Sequence, residues 1–460
     1  MCNSQDCSPS LPAIDLDMMN KCAVFFFFLI LNFISASAQN NDSLSSKKIL
    51  LLGWNEMKFS SNNGYENNFS GMFNHELEVS GSGVDHSSSL ILPFSASLIT
   101  KDFLDEEKKQ DASNGLHDFN VLELGYNFNF SYRWMTDKFL YHDLAVYAFS
   151  YNFGLYSNTK FTHDLFNTIF FGNAMYAGQT ADFSKSSNYD FQYDKISFSA
   201  QKKITTLEST WEFGTGISIL GVHSLTKFDV PRGSLFTEQN GEYLDADFNY
   251  EYLTSDSTNH GNFQIDGVGA ALDFQFSSLS KNQQTRWSFY LNDFGFANWN
   301  KNARTYSADS SIHFQGIEVI DLLSPDDSSS INFNVDSLLK NTGGKLETGS
   351  RSTLLPYCIA LVFQHSVSQK IILNAGISYR PVVDLIPFIF VKPQWVINST
   401  FQIAGTISYG GTASYALGAD AYLNMNDRLK LNLGSDNILG IFIPKQTTST
   451  SLFLRMRYLF

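Results

Sequence analysis

The chain has 460 residues, of which 43% are hydrophobic, 15% aromatic and only 17% charged, and its formal net charge is −14. Soluble domains carry about 25% charged residues, while a mean hydropathy of −0.14 excludes a bundle of apolar helices. The acidic balance excludes nucleic acid as a partner, because phosphate binding draws on Lys and Arg.

The first predicted element spans residues 1–38. Cys22–Ile34 are apolar apart from Asn32, Lys21 stands before them, and Ala36-Ser37-Ala38-Gln39 follows. This is the n-region, h-region and A-x-A pattern of a secretory signal peptide, with cleavage between Ala38 and Gln39. The run is shorter than the roughly 20 residues of a transmembrane helix. Asp6, Asp15 and Asp17 occupy a region that should be positive, so residues 1–17 read as an over-extended start ahead of Met18 or Met19. Residues 39–115 carry the weakest pattern and read either as the first strands or as a plug. Residues 116–460 read as the main domain, with a helix predicted over 160–173, capping a mouth or plugging a lumen. Cys358 alone follows the cleavage site, which excludes an intramolecular disulfide or a Cys-based zinc cluster. It reads as a small buried or lipid-facing hydrophobe.

Beyond residue 350 the chain alternates with period two. Ile371, Leu373, Ala375, Ile377 and Tyr379 share one face, while Asn374, Gly376, Ser378 and Arg380 share the other with Ile372. Phe401–Tyr409, Tyr415–Leu423, Arg428–Leu433 and Leu452–Phe460 repeat the pattern. Only strands place successive side chains on opposite faces. Eight steps from Phe401 to Tyr409 span about 26 Å at roughly 3.3 Å per residue, enough when tilted for most of a roughly 25 Å apolar band. The polar faces hold mostly Ser, Thr, Gln, Gly and Asn, which suits a hydrated lumen better than the surface of a soluble sandwich. Short polar turns at 278–284, 367–369, 398–399 and 424–427 fall on one side by parity. Residues 299–352 and 437–449 then form long loops on the other side, with short helices predicted at 321–323 and 335–340. The expectation is an all-β, transmembrane, up-and-down antiparallel barrel of roughly 14 strands (12 to 18), with one or two short helices in loops or plug. Its address is the outer membrane, and its partners are membrane lipid and the insertion machinery, which would read the terminal Tyr458 and Phe460.

Asn262–Gly269, Leu291–Trp299 and Ser435–Gly440 are strand-end segments in which Asp or Asn stands near Gly. On these the chain resembles, across roughly residues 50–460, an uncharacterised family of Bacteroidota outer-membrane barrels, distantly similar to long-chain fatty-acid transporter barrels. The resemblance implies a porin-like barrel, passive pore or transporter, for small or hydrophobic solutes; it carries over no ligand-binding residue. The alternative reading is a non-transporting envelope component, a surface-attachment or secretion partner with a protein bound to it.

Nine histidines show no metal spacing, and no G-x-S-x-G elbow or phosphate loop occurs. No catalytic residue, cofactor or metal is therefore expected, and the chain reads as a non-enzyme. One cluster is singled out: Arg428 and Lys430 open the penultimate strand, and Arg455 and Arg457 close the last. Antiparallel pairing would bring them together on the non-lipid face as a cationic lumen mouth; the alternative is rim charge neutralised by neighbouring Asp and Glu.

Overall fold

The computed structural model describes residues 75–460 apart from 138, 141–144, 208, 257–263, 283, 316–343 and 413. In chain order β1 (His75–Ser87) leads through helices α1 (Leu92–Thr100) and α2 (Glu106–Asn114) to β2 (Phe119–Thr136) and β3 (Ala145–Thr162). Helix α3 (His163–Phe171) precedes β4 (Gln179–Asp182), β5 (Ser186–Thr205), β6 (Ser209–Thr237) and β7 (Leu244–Thr254). Then come β8 (Gly267–Ser280), β9 (Thr285–Trp299), β10 (Arg304–Phe314), β11 (Lys345–Thr348) and β12 (Arg351–Leu354). The last strands are β13 (Cys358–Ser366), β14 (Ile371–Tyr379), β15 (Ile386–Val396), β16 (Phe401–Gly411), β17 (Ser414–Asn424), β18 (Leu429–Ser435) and β19 (Ser449–Leu459).

Fourteen of these close a ring. Each pairs antiparallel with its neighbours in the order β1, β2, β3, β5, β6, β8, β9, β13 to β19, and β19 pairs back onto β1, Glu78 opposite Arg457. The structure is thus a closed, 14-stranded antiparallel barrel, as the alternation predicted. The turns joining β8 to β9, β13 to β14, β15 to β16 and β17 to β18 sit at one end, beside Phe460, and the longer connections sit at the other. No helix among the described residues is long and apolar enough to cross a membrane.

The wall is inverted relative to a soluble protein. Outward-facing Ile217, Ile219, Leu272 and Ile407 are 62%, 72%, 57% and 63% exposed, while inward-facing Lys392, Gln394 and Gln402 are at most 4% exposed. An apolar belt of this extent is stable only against another apolar phase. Outward aromatics gather at its borders. Trp287 meets Phe363, and Tyr132, Trp134, Tyr458 and Phe460 cluster with His75 at the turn end. Tyr409 meets Tyr415 at the loop end.

Two local irregularities matter. Asp293 adopts a left-handed φ of 58° where β9 slips one residue against β8 between Leu272 and Phe274; such a bulge bends a strand and re-aims a side chain. Gly410 has φ 115°, and a Cβ there would lie 2.1 Å from the Pro387 carbonyl oxygen, so only glycine fits where β15 shifts register.

Sequence and structure differ at the loop end. The helix predicted over 160–173 starts only at His163, because Phe161 and Thr162 still pair with β2. It packs with α1 through Phe94, Phe166 and Phe170 onto Leu122, on the face of β2 opposite the inward Glu123. The helices therefore rest on the outer side of the rim and leave the lumen to others. Part of the segment 299–352, read as loop, forms β10 to β12. The upper half of β6 runs past the barrel and builds a sheet with β4, β7, β10 and β11. The helices predicted at 321–323 and 335–340 lie outside the described residues.

Candidate functional site

The lumen is layered. At the turn end, Glu78 on β1 receives Arg457 at 2.8 Å, Arg455 at 3.4 Å and Arg133 at 3.4 Å, and Arg133 also reaches Glu76 at 3.0 Å. All five side chains are buried. Strand alternation dictates the layer: Glu76 stands opposite Arg133 and Glu78 opposite Arg457, so neighbours in the wall meet on its inner face. Arg286 with Glu212, and Lys392 with Asp420, add inner-face ion pairs elsewhere on the ring, each reaching across one intervening strand. Buried charges persist only when paired in this way.

Above this layer the wall of β1 to β3 is lined by amides and hydroxyls. Asn127 and Asn152 exchange two hydrogen bonds of 3.0 Å. Across the lumen, the bulge aims Asp293 at Lys195, which donates to its Oδ1 at 2.6 Å, while the Asp293 N–H donates to Asp273 Oδ1 at 2.8 Å.

The loop end is closed by a different chemistry. Tyr156, Phe191, Leu220, Trp299, Leu355 and Val383 form one buried apolar cluster inside the mouth. Arg380, just past β14, crosses the lumen to Glu123 on β2 at 3.3 Å and to Asp384 at 2.5 Å, and its guanidinium lies 5.0 Å from the Tyr156 ring centre. β2 and β14 are seven strands apart whichever way the ring is followed. The connection that follows β14 therefore folds inward, with Val383 in the apolar cluster, to bring Arg380 to the far wall.

Between the two closures lies a chamber. Its roof is aromatic and aliphatic (Tyr156, Phe191, Leu220, Leu355), and its floor and one side are polar (Ser80, Ser82, Asn127, Asn129, Arg455). Concave, largely apolar sites with a few converging polar groups are where small molecules bind. Cys358 is buried and lines the chamber opposite Asn292. Among the described residues no group of three or more His, Cys, Asp or Glu could hold a metal ion.

The residues singled out from sequence fall as follows. Ala36, Ala38 and Gln39 lie outside the described residues. Tyr458 and Phe460 end the last strand on its outer face, their rings 5.9 Å apart. Arg455, Arg457 and Lys430 meet on the inner face, Lys430 opposite Arg457, while Arg428 is exposed in the preceding turn. Glu78 sits between Arg455 and Arg457, compensating charge at the place read as a cationic mouth. The chamber amides and the Arg380–Glu123 bridge were not anticipated. The only local sign of the former is that Asn127 and Asn129 alternate with aromatics in β2.

The profile of a family of unknown function, DUF5723, matches residues 59–436. The chain belongs to that family. Among curated proteins none matches this DUF5723 chain. Among solved structures it is similar to a TodX deletion mutant described as a monoaromatic hydrocarbon channel (8% identity, 84% of this chain, 90% of that chain, TM-score 0.40). It is also similar to the Pseudomonas putida toluene transporter TodX (10% identity, 87% and 94% covered, TM-score 0.36). A Pseudomonas aeruginosa FadL homologue gives 8% identity, 84% and 89% covered, and a TM-score of 0.39. At such scores these likenesses carry no argument about what the DUF5723 chain does.

Proposed function

We propose that the chain is an outer-membrane transporter for small solutes whose lumen is closed at rest. The single observation behind this reading is the Arg380–Glu123 bridge, which roofs an internal chamber by tying the β14–β15 connection to the wall at β2 in a barrel whose outer face is apolar. At the loop end, a shift of the connection Arg380–Leu385 would carry Arg380 and Val383 away from Glu123 and Tyr156 without unpairing any strand, leaving the turn-end ion pairs as a second barrier. The belt and its aromatic borders support membrane insertion, and the signal-peptide pattern of residues 1–38 supports export to the outer membrane. On this reading Tyr458 and Phe460 are the residues the insertion machinery engages, and no cofactor takes part.

Planar-bilayer conductance tests the reading. The wild-type protein should show low basal conductance, and Arg380→Ala should raise it by removing the loop-end barrier, with the turn-end layer limiting the gain and Glu123→Ala doing the same. Properly inserted variants that conduct no better than wild type would refute it. A second reading, a barrel that docks an envelope partner, draws on the sheet of β4, upper β6, β7, β10 and β11 standing beyond the loop end. Its test is stable co-purification that is lost when that sheet is replaced by short turns.

A further inference from the structure

The chamber wall specifies more than size. Each charge on it already has a partner: Glu78 has three arginines, Lys195 has Asp293, and Arg380 has Glu123 and Asp384. A charged solute would have to break one of these pairs in a water-poor space, so the wall favours a neutral one. Hydrogen-bonding capacity, by contrast, is left over. Asn129 is 6% exposed and lines the chamber, yet its Oδ1 has no hydrogen-bond partner among the described residues, and neither does Ser82 Oγ. Buried polar atoms are seldom left unmatched, and such an atom on a residue that lines a cavity marks where a ligand or water can donate after a small side-chain shift.

The two atoms lie on adjacent strands. Ser80 opposes Asn129 across the β1–β2 ladder, and Ser82 opposes Asn127, so Asn129 and Ser82 sit one residue pair apart on the inner face. The apolar roof is at the other pole of the same chamber. Gly154 lets the Tyr193 ring lie against the β3 backbone, since a Cβ there would come within 3.1 Å of the Tyr193 hydroxyl oxygen. That widens the aromatic surface available to a flat solute.

We propose that the chamber binds a small neutral amphiphile, an apolar ring or short chain carrying one hydroxyl or amide N–H. The donor sits at Asn129 Oδ1 and Ser82 Oγ, and the apolar part sits against Tyr156, Phe191 and Leu220. This rests on the transport reading above and names the class of solute for it. A pure hydrocarbon fills the roof but leaves Asn129 unmatched.

The test uses the mature protein in lipid nanodiscs and two probes of nearly equal size, para-fluorophenol and fluorobenzene, followed by fluorine NMR against empty nanodiscs. Para-fluorophenol should bind about tenfold more tightly, the scale of one well-placed hydrogen bond. Asn129→Leu should reverse the preference, weakening para-fluorophenol and strengthening fluorobenzene, while Asn129→Ser, which keeps an acceptor, should retain it. Equal affinity for the two probes, a parallel loss of both in Asn129→Leu, or no binding of either overturns the assignment. The two readings fail separately. Selective binding without any conductance gain in Arg380→Ala leaves a binding barrel that does not transport, and a conductance gain with no probe bound leaves a conducting lumen without this site.

Discussion

The two closures of the lumen use ion pairs to opposite ends. At the turn end, Glu76, Glu78, Arg133, Arg455 and Arg457 come from β1, β2 and β19, three strands that already touch through their ladders. Their charges add nothing to topology; they lock the seam where the first strand of the ring meets the last. At the loop end, Arg380 and Glu123 come from opposite walls and have no ladder between them. Remove the first set and the cylinder loses part of what holds it shut. Remove the second and the cylinder remains, with the chamber open at the loop end and the turn-end layer as its remaining barrier.

Four substitutions put the two closures to the test. The largest effect should come from Glu78→Ala, which strands three buried arginines beside Glu76 alone. Breaking a buried pair by deleting one partner costs about 3–5 kcal/mol, read as a lower denaturant midpoint for the loss of heat-modifiable gel mobility. A midpoint within error of wild type would mean that water enters this layer and the seam does not depend on it.

Both closures presuppose an apolar wall between them. Ile407, near the middle of β16 and 63% exposed, tests that wall. Ile407→Arg should cost about 2–4 kcal/mol in lipid, the penalty for a cation at mid-membrane depth, and much less at Phe401 or Tyr409 near the borders. A flat profile along β16 would place the strand outside a bilayer. Arg380→Ala comes next in stability, at about 1–3 kcal/mol, because the opened mouth lets water hydrate Glu123 and Asp384. Its larger signature is the conductance gain. A stability loss as great as that of Glu78→Ala with no gain in conductance would make the two closures equivalent and remove the contrast.

How much of this was legible depended on sequence distance. The outward faces of β14, β16, β17, β18 and β19 follow directly from alternation, and so does the inward placement of Arg455 and Arg457. Their carboxylate partner Glu78, 379 residues before Arg457, lies in β1, where Gly81 and Gly83 interrupt the outward apolar face and blur the period. Arg380 could be assigned to the inner face, but Glu123 is 257 residues away, and nothing local says which of several inward acids it meets. The bulge at Asp293 was visible only as Asn-Asp before Phe-Gly, a pattern shared by many strand ends. Periodicity reports the face a residue occupies; it is silent about what stands across an enclosed space.

A weaker contribution comes from the loop-end rim. Tyr176, in the connection between β3 and β5, donates to Asp164 Oδ1 at 2.9 Å, and the same carboxylate accepts the Asp182 N–H at 2.9 Å. Burial, and then the Asp164 carboxylate beside it, push the Tyr176 phenol up to about 12. The folded state thus holds the phenolic proton more tightly than the unfolded chain, whose tyrosines titrate near ~10. The stability this contributes is complete below the unfolded value and disappears as pH rises through the folded one. Tyr176→Phe should cost about 0.5–1.5 kcal/mol at neutral pH, with the gap between variant and wild type narrowing in strong alkali. The difference in tyrosinate absorbance between the two proteins should show one residue titrating late. If the gap stays constant across that range, the rim is held by the packing of Phe166 and Phe170 alone, and the hydrogen bonds of the loop end matter only where they cross the lumen.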